Sequence, residues 1–394
     1  MFNLHPVTAR LLPTAVATLV LLVACSPGSI AGGLPPGPLK VGLVTSLTGI
    51  DLPLGADLRL GAQQAVDEAN SGGGVAGHQV QLLAADDRSE AGQAGPAFSG
   101  LAAAGVVGVV GPLSAAGELA IASLAAAKRL PILSASGADA VVLDGGHLAA
   151  NRFLAAPAAS RAAERMLIYA RSASIADVAV AHQTGDAFAD SGLAALVASA
   201  VRYGVRVAAV QPFDPATTDF KAVLGAVRVS GAKLLLVWGS GTAPPLLERA
   251  WKDSGLGIPI LLSTASCTTA FLRSLSDAGE GALVECSSSV LAAELPAGSS
   301  VRRQVDPMAA AFQRRNGYYP TQAAFDGYAG VSLLLRAIGE AGSSDAHRID
   351  SALAQVNLVN ASGSFTFTKS DHLGLASKWL AIAVVKDGKL APAG

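Results

Sequence analysis

Charge is scarce in this chain. Only 14% of its 394 residues are Asp, Glu, Lys or Arg, and the formal net charge is −1. So even a balance leaves no basic footprint for a nucleic acid. Cysteine is scarcer still, with three in all and no C-x-x-C spacing for zinc or redox work. The six His are scattered, with no pair at i, i+4. There is no G-x-S-x-G elbow. These gaps remove the usual nucleophile–base and metal-ligand sets, so neither catalysis nor a cofactor or metal is expected. His182 and His372 read as satisfied core or surface residues. Past the N-terminus no apolar run reaches 18 residues, so no further membrane span is expected.

What is abundant is apolar matter. The chain is 51% hydrophobic and holds 43 Gly. It can bury large cores, and its length suits two domains. Residues 11–24 are apolar but too short for a comfortable span, which needs about 20 residues. They end in Leu22-Val23-Ala24-Cys25, which reads as a bacterial lipobox. That motif predicts a leader over 1–24, cleavage before Cys25 and a lipid on its thiol, anchoring the chain to a membrane outside the cytoplasm. The n-region carries little charge, Arg10 and His5. Residues 26–39 are dominated by Gly and Pro and read as a tether. Two cysteines then remain, Cys267 and Cys286. In an oxidising compartment they are either a disulfide or two buried thiols, and only their Cα separation decides.

From Lys40 the chain alternates. Strands are expected at 40–45, 79–84, 106–110 and 130–134, with helices at 56–70, 90–104 and 115–128 between or after them. The alternation restarts after Phe153, with helices at 158–172, 187–203, 219–229 and 244–254. Strands at 177–181, 205–210, 233–238 and 258–262 follow them. Helices near 301–316, 322–341 and 346–356 come next. A terminal hairpin of 364–368 with 378–385 is expected. The pattern predicts an α/β protein of two doubly wound, mainly parallel sheets in series. Ligands of such sheets sit beyond the strand carboxyl ends, at the switch point.

Four local features bear on function. Gly72-Gly73-Gly74-Val75-Ala76-Gly77 matches G-x-G-x-x-G, but it follows a helix and precedes a strand, the reverse of a dinucleotide site. It reads as a helix end and turn. Gly111-Pro112-Leu113-Ser114 follows a strand and opens a helix, where free N–H groups and the helix dipole favour an anion. Ser134-Ala135-Ser136-Gly137 repeats the arrangement. Two Ser-bearing strand ends side by side would hold one carboxylate; plain N-capping is the other reading. Asp86-Asp87 reads as a solvated turn beside Arg88 rather than a Mg²⁺ site.

Taken in order, these segments resemble the type I periplasmic binding proteins, in their leucine/isoleucine/valine-binding branch. The matching pieces are Lys40–Gly49, Gly61–Asn70 with the Gly turn behind it, Asp86-Asp87, Val109–Ser114, Thr218-Asp219-Phe220 and Phe325-Asp326-Gly327-Tyr328. No single piece is specific; their order and spacing are. The resemblance implies two lobes joined by three crossovers near residues 154, 287 and 362. Lobe 1 would span 40–153 and 288–361, and lobe 2 would span 154–287 and 362–394. It implies a hinge that closes on a small solute. It also places the solute carboxylate at Ser114 and Ser136, with the N–H groups of Ala115 and Ala138.

Departures from the pattern matter as much. A Thr that helps hold an ammonium in amino-acid binders aligns with Ala138. The acid that pairs the ammonium falls in Thr264-Ala265-Ser266, which has none. An aromatic of the first loop aligns with Leu54, a Tyr of lobe 2 with Phe188, and another falls near Ser240. Burying an ammonium without a counter-charge costs several kcal/mol. Either Asp51 or Asp186 serves, or the solute is an organic acid, an amide or an aromatic acid rather than a zwitterion; the second is favoured. The expected role is a monomeric, lipid-anchored receptor that hands a solute to an ABC permease and its ATPase. A sensor of the same fold and an exported enzyme are the rivals.

Overall fold

The computed structural model describes residues 1–3, 33–275 and 279–393 of the chain. Cys25, most of the expected leader and part of the tether lie outside the described residues. Among the described residues no helix is long and apolar enough to cross a membrane.

The first part of the chain builds β1 (Leu39–Thr45), α1 (Leu52–Ser71), β2 (Val80–Asp86), α2 (Ala91–Ala103), β3 (Val109–Val110), α3 (Ala115–Lys128) and β4 (Ile132–Ser134). A two-strand ribbon, β5 (Leu143–Asp144) with β6 (His147–Leu148), leads to β7 (Arg152–Leu154). The second part builds α4 (Ala159–Ser172), β8 (Asp177–Gln183), α5 (Ala187–Ser199), β9 (Arg206–Phe213), α6 (Lys221–Ser230) and β10 (Leu234–Trp238). It continues with α7 (Ala243–Asp253), β11 (Ile260–Leu262), α8 (Thr269–Leu275) and β12 (Leu283–Ser287). Then come α9 (Ser300–Asn316), α10 (Gln322–Ala341), α11 (Ala346–Leu353), β13 (Asn357–Asn360), β14 (Gly363–Thr366), β15 (Leu380–Lys386) and β16 (Lys389–Pro392).

Two separate sheets result. The first has the order β2-β1-β3-β4-β7 and is parallel throughout. The second has the order β16-β15-β12-β11-β10-β8-β9, parallel from β12 to β9 and antiparallel at β15 and β16. Parallel strands need both faces covered, and their residues are apolar on both. In lobe 1, Val41 and Leu43 pack on Leu58 of α1 and Leu334 of α10. The opposite face sets Val44 and Val109 on Phe98 of α2 and Ile121 of α3. In lobe 2, Val180 and Leu236 face Met166 of α4 and Leu196 of α5, while Leu235 and Val237 face Leu224 of α6 and Leu247 of α7.

Helix starts follow local chemistry. Ser114, Asp186, Ser299, Thr321 and Asp345 each cap a helix by accepting an N–H from its first turn. The Gly run after α1 is a helix end and turn: Gly73 and Gly74 have φ of +94° and +81°.

α1 and α10 lie together at backbone distance. A Cβ at Gly61 would fall 1.8 Å from the carbonyl oxygen of Ala324, and one at Gly327 would fall 2.1 Å from that of Leu58. This contact brings the segment after β12 back to lobe 1. The chain therefore crosses between the two sheets after Leu154 and again after Ser287. Ser289 Oγ donates to Ala361 O at 2.8 Å, and Ser288 N donates to Trp379 O at 2.7 Å, so the crossing segments run side by side.

The C-terminal pairing corrects the sequence expectation. Residues 364–368 do not pair with 378–385. β14 pairs with β13, and β15 lies between β12 and β16. The two-residue turn Asp387-Gly388, with φ of +51° and +70°, is the hairpin signal that selects β16 as the partner. Before β15 the chain runs as a strap along β7 and the start of α4. His372 stacks on Phe153 with centroids 4.0 Å apart, Leu154 N donates to His372 O at 2.9 Å, and Arg161 pairs with Asp371 at 2.5 Å.

Cys267 and Cys286 are bonded, with their Cα atoms 5.4 Å apart. In a Cys25→Ala protein, thiol labelling in denaturant without reductant should find nothing, and reduction should cost about 2–4 kcal/mol of stability. Labelling of both residues before reduction would refute the bridge.

Candidate functional site

The strand ends of lobe 1 carry the two Ser residues. Ser114 is exposed at the start of α3, and its Oγ accepts the N–H of Gly117 at 3.1 Å. Ser136 is buried, and its Oγ accepts the N–H of Ala138 at 3.3 Å. Ser134 Oγ in turn accepts the N–H of Ser136 at 3.1 Å. Each hydroxyl thus accepts one backbone N–H and keeps its proton to donate. Ala138 is wholly buried, and Ala115 is half-buried beside it in one small apolar cluster.

The same cluster receives a residue from lobe 2. Phe188, in the first turn of α5, packs on it and on Trp238, with ring centroids 5.4 Å apart. A Cβ at Gly137 would lie 3.1 Å from the Phe188 ring, so the two lobes are in van der Waals contact there. Three of the predicted residues, Ala115, Ala138 and Phe188, are therefore brought together.

Ser240 is linked to this group through Asp186. Ser240 Oγ donates to Asp186 Oδ2 at 2.6 Å, and Asp186 Oδ1 accepts the N–H groups of Phe188 and Ala189 at 2.9 and 3.3 Å. Gln183 Oε1 accepts the N–H of Ser240 at 3.1 Å. Asp186 is thus a helix cap whose two oxygens are both engaged. Leu54 lies on the large central core, half-buried, and Ala265 sits in a short 3₁₀ turn, Thr264–Ser266, tied to β12 by the disulfide. Neither belongs to the Ala115–Ala138–Phe188 cluster.

Asp51 caps nothing with its side chain. Burial, and the charge of Asp87 beside it, push its carboxyl above the usual range. The Asp86-Asp87 pair is not a solvated turn. Asp87 is buried and accepts the Ser46 hydroxyl at 2.7 Å. Asp86 accepts from Leu47 N, Thr48 N, Thr48 Oγ1 and Arg88 N. Burial works to raise Asp86, but these donors together hold it below the usual carboxylate range. Their joint effect is to fix the loop between β1 and α1. Among the described residues no group of His, Cys, Asp and Glu is placed to hold a metal. His182 Nε2 donates to Asp190 Oδ1 at 2.8 Å, and His372 Nδ1 donates to Arg152 O at 2.9 Å, so both are satisfied.

Sequence reading missed a buried charge behind the Ser pair. Glu118 interrupts the buried face of α3 one turn below Ser114 and is fully buried. Burial pushes it up to about 8, against the Ser134 hydroxyl and the charge of Arg152 on β7. The signal was there: Gly117, Ile121 and Ala125 mark an inward face on which Glu118 also falls.

Comparison with known proteins then adds the following. Residues 38–389 match the family of periplasmic binding proteins. A Leu/Ile/Val-binding protein, BraC3 of Rhizobium johnstonii, is 27% identical over 385 residues, covering 95% of this chain and 99% of the relative. The branched-chain amino acid transporter substrate-binding protein LivJ of Streptococcus pneumoniae, solved with isoleucine, has a TM-score of 0.74 at 19% identity, covering 90% of this chain and 97% of its own. An ABC transporter solute-binding protein of R. palustris, solved with benzoate, has a TM-score of 0.73 at 18% identity, covering 91% and 96%. At these identities the two solved structures speak for the fold alone.

The raised Glu118 makes a pH prediction. Folded Glu118 keeps its proton from about pH 4.5, where it is lost in the unfolded chain, up to about 8. The native form then binds more protons than the unfolded one, so its stability falls as pH rises through that window. Glu118→Gln should flatten the fall by at least ~1 kcal/mol between pH 5 and 9, read from denaturant midpoints. Parallel pH curves for the two proteins would refute it.

Proposed function

Because the chain belongs to the periplasmic binding protein family, we propose that it captures an organic acid, amide or aromatic acid between its lobes. In this reading it passes that solute to an ABC permease and its ATPase. The family's members are solute-binding proteins of ABC transporters and not enzymes, and they act outside the cytoplasm. The finer reading rests on one observation. Ala115 and Ala138, at the two Ser-bearing strand ends of lobe 1, share an apolar cluster with Phe188 of lobe 2. A carboxylate held by Ser114, Ser136 and the N–H of Ala115 would sit at its edge, and the apolar body would lie on Phe188. Leu54, Ser240 and Ala265 complete the proposed lining.

Lobe 1 is taken as 40–153 with 288–361, and lobe 2 as 154–287 with 362–394. The strap through His372 is then the stretch of the second lobe's segment that lies along the first.

The chemistry of lobe 2 argues against an α-ammonium. The turn Thr264–Ser266 has no acid, and Asp186 has both oxygens engaged at home. Asp51 is left, and a carboxyl held towards its neutral form is a weak counter-ion. A protein of similar fold from R. palustris was solved with benzoate, which supports the reading.

A melting-temperature panel of amino acids, aliphatic and aromatic carboxylates and their amides tests the reading. Carboxylates without an ammonium should raise the melting temperature, and Ser136→Ala should lower their affinity roughly tenfold, one charge-assisted hydrogen bond. A rise confined to zwitterions, and abolished by Asp51→Asn, would reverse it.

The anchor is proposed at Cys25. Cys25→Ala should release the protein from membranes into the aqueous phase on detergent partition. Continued partition into detergent would refute lipidation.

A further inference from the structure

On the face of the second sheet that α4 and α5 cover, three neighbouring strands carry buried polar groups side by side. Val237 pairs with Leu262, and Leu262 with Val284. One step further along, Trp238 lies beside Ser263, where Ser263 N donates to Val237 O at 3.0 Å, and Ser263 lies beside Glu285. Ser287, two residues beyond Glu285, shares its face. All four are buried to within 1% of full coverage.

Every one of them has an unmet polar atom: Trp238 Nε1, Ser263 Oγ, both carboxyl oxygens of Glu285, and Ser287 Oγ. Buried polar groups are nearly always hydrogen-bonded, and a row of four without partners is costly. Arg165 on α4 is the cation nearest in effect to Glu285, but its Nε is itself buried without a partner. A structural ion pair therefore does not account for the row. Position offers another account. Trp238 immediately precedes the Gly239-Ser240 segment, and Ser263 precedes the Thr264–Ser266 turn, both on the proposed cleft lining. Phe188 packs directly on Trp238.

We infer that this row is a subsite for a primary carboxamide at the far end of the solute, reached when the Phe188 ring swings aside. The indole N–H donates to the amide carbonyl. The amide NH₂ donates to Ser263 Oγ and to Glu285. Burial keeps Glu285 well above the usual carboxylate range, so a neutral amide suits it better than an anion, and Ser287 lends a second hydroxyl. This inference rests on the reading that lobe 1 takes the carboxylate of an acid. It adds what lobe 2 selects.

The test compares three matched pairs in wild type, E285L and W238F by calorimetry: glutaramate with pentanoate, adipamate with hexanoate, and 4-carbamoylbenzoate with 4-methylbenzoate. In wild type the amide of at least one pair should bind roughly tenfold or more tighter than its partner, because a site built for hydrogen bonds rejects the analogue lacking them. Both variants should lose that preference while still binding the methyl-ended acid. E285L should also melt higher than wild type without ligand, since an unpartnered buried carboxyl is replaced by an apolar group of similar size. Methyl-ended acids that bind wild type as tightly as the amides would overturn the subsite alone. No binding by any acid would overturn the carboxylate reading and the subsite with it. An E285L protein that keeps the preference would overturn the subsite. If E285L does not fold, a W238F protein that keeps the preference does so.

Discussion

The close approach of α1 and α10 is the constraint on which the rest of this architecture hangs. Gly61 and Gly327 let the two backbones touch, and any side chain there would drive them apart. α10 comes after β12 of lobe 2, so this contact makes lobe 1 discontinuous. The second crossing after Ser287 is its direct result, and the return to β15 makes another. The two sheets are then joined by segments that lie side by side near Ser289 and Ala361.

Much of the fold was legible because its signals are local. α3 and α10 were read to the residue, since Ser114 and Thr321 cap them and a hydrophobic face runs through each. The alternation of buried strands and helices named the fold class. The C-terminal pairing was misread because it depends on a partner about a hundred residues away, β12, and on a two-residue turn passed over. The register of β10, β11 and β12 was likewise invisible. Without it, Trp238, Ser263 and Glu285 are three unrelated letters, and only strand pairing makes them a row.

The same division runs through the candidate site. Ser114 and Ser136 were visible as strand-end serines, and the structure finds both serving as local caps whose hydroxyl protons remain available. What could not be read was how the two sides of the proposed site differ. Lobe 1 presents hydroxyls and helix N-termini with Glu118 behind them, a setting for negative charge at the surface and a proton below it. Lobe 2 presents an aromatic ring over an unsatisfied polar layer. Asp86 and Asp87 read as a solvated turn in the sequence and turn out to hold a loop.

The position of β15 has a consequence for how the protein is made. Its neighbour β12 lacks a partner on that edge until residues 380–386 have been made. A nascent chain therefore exposes an open strand edge and an incomplete second sheet until β15 arrives. Such a chain cannot lock into its final form early, and a polypeptide that must pass a membrane before folding gains time from that delay. The order of strands thus sets how late the second sheet can close.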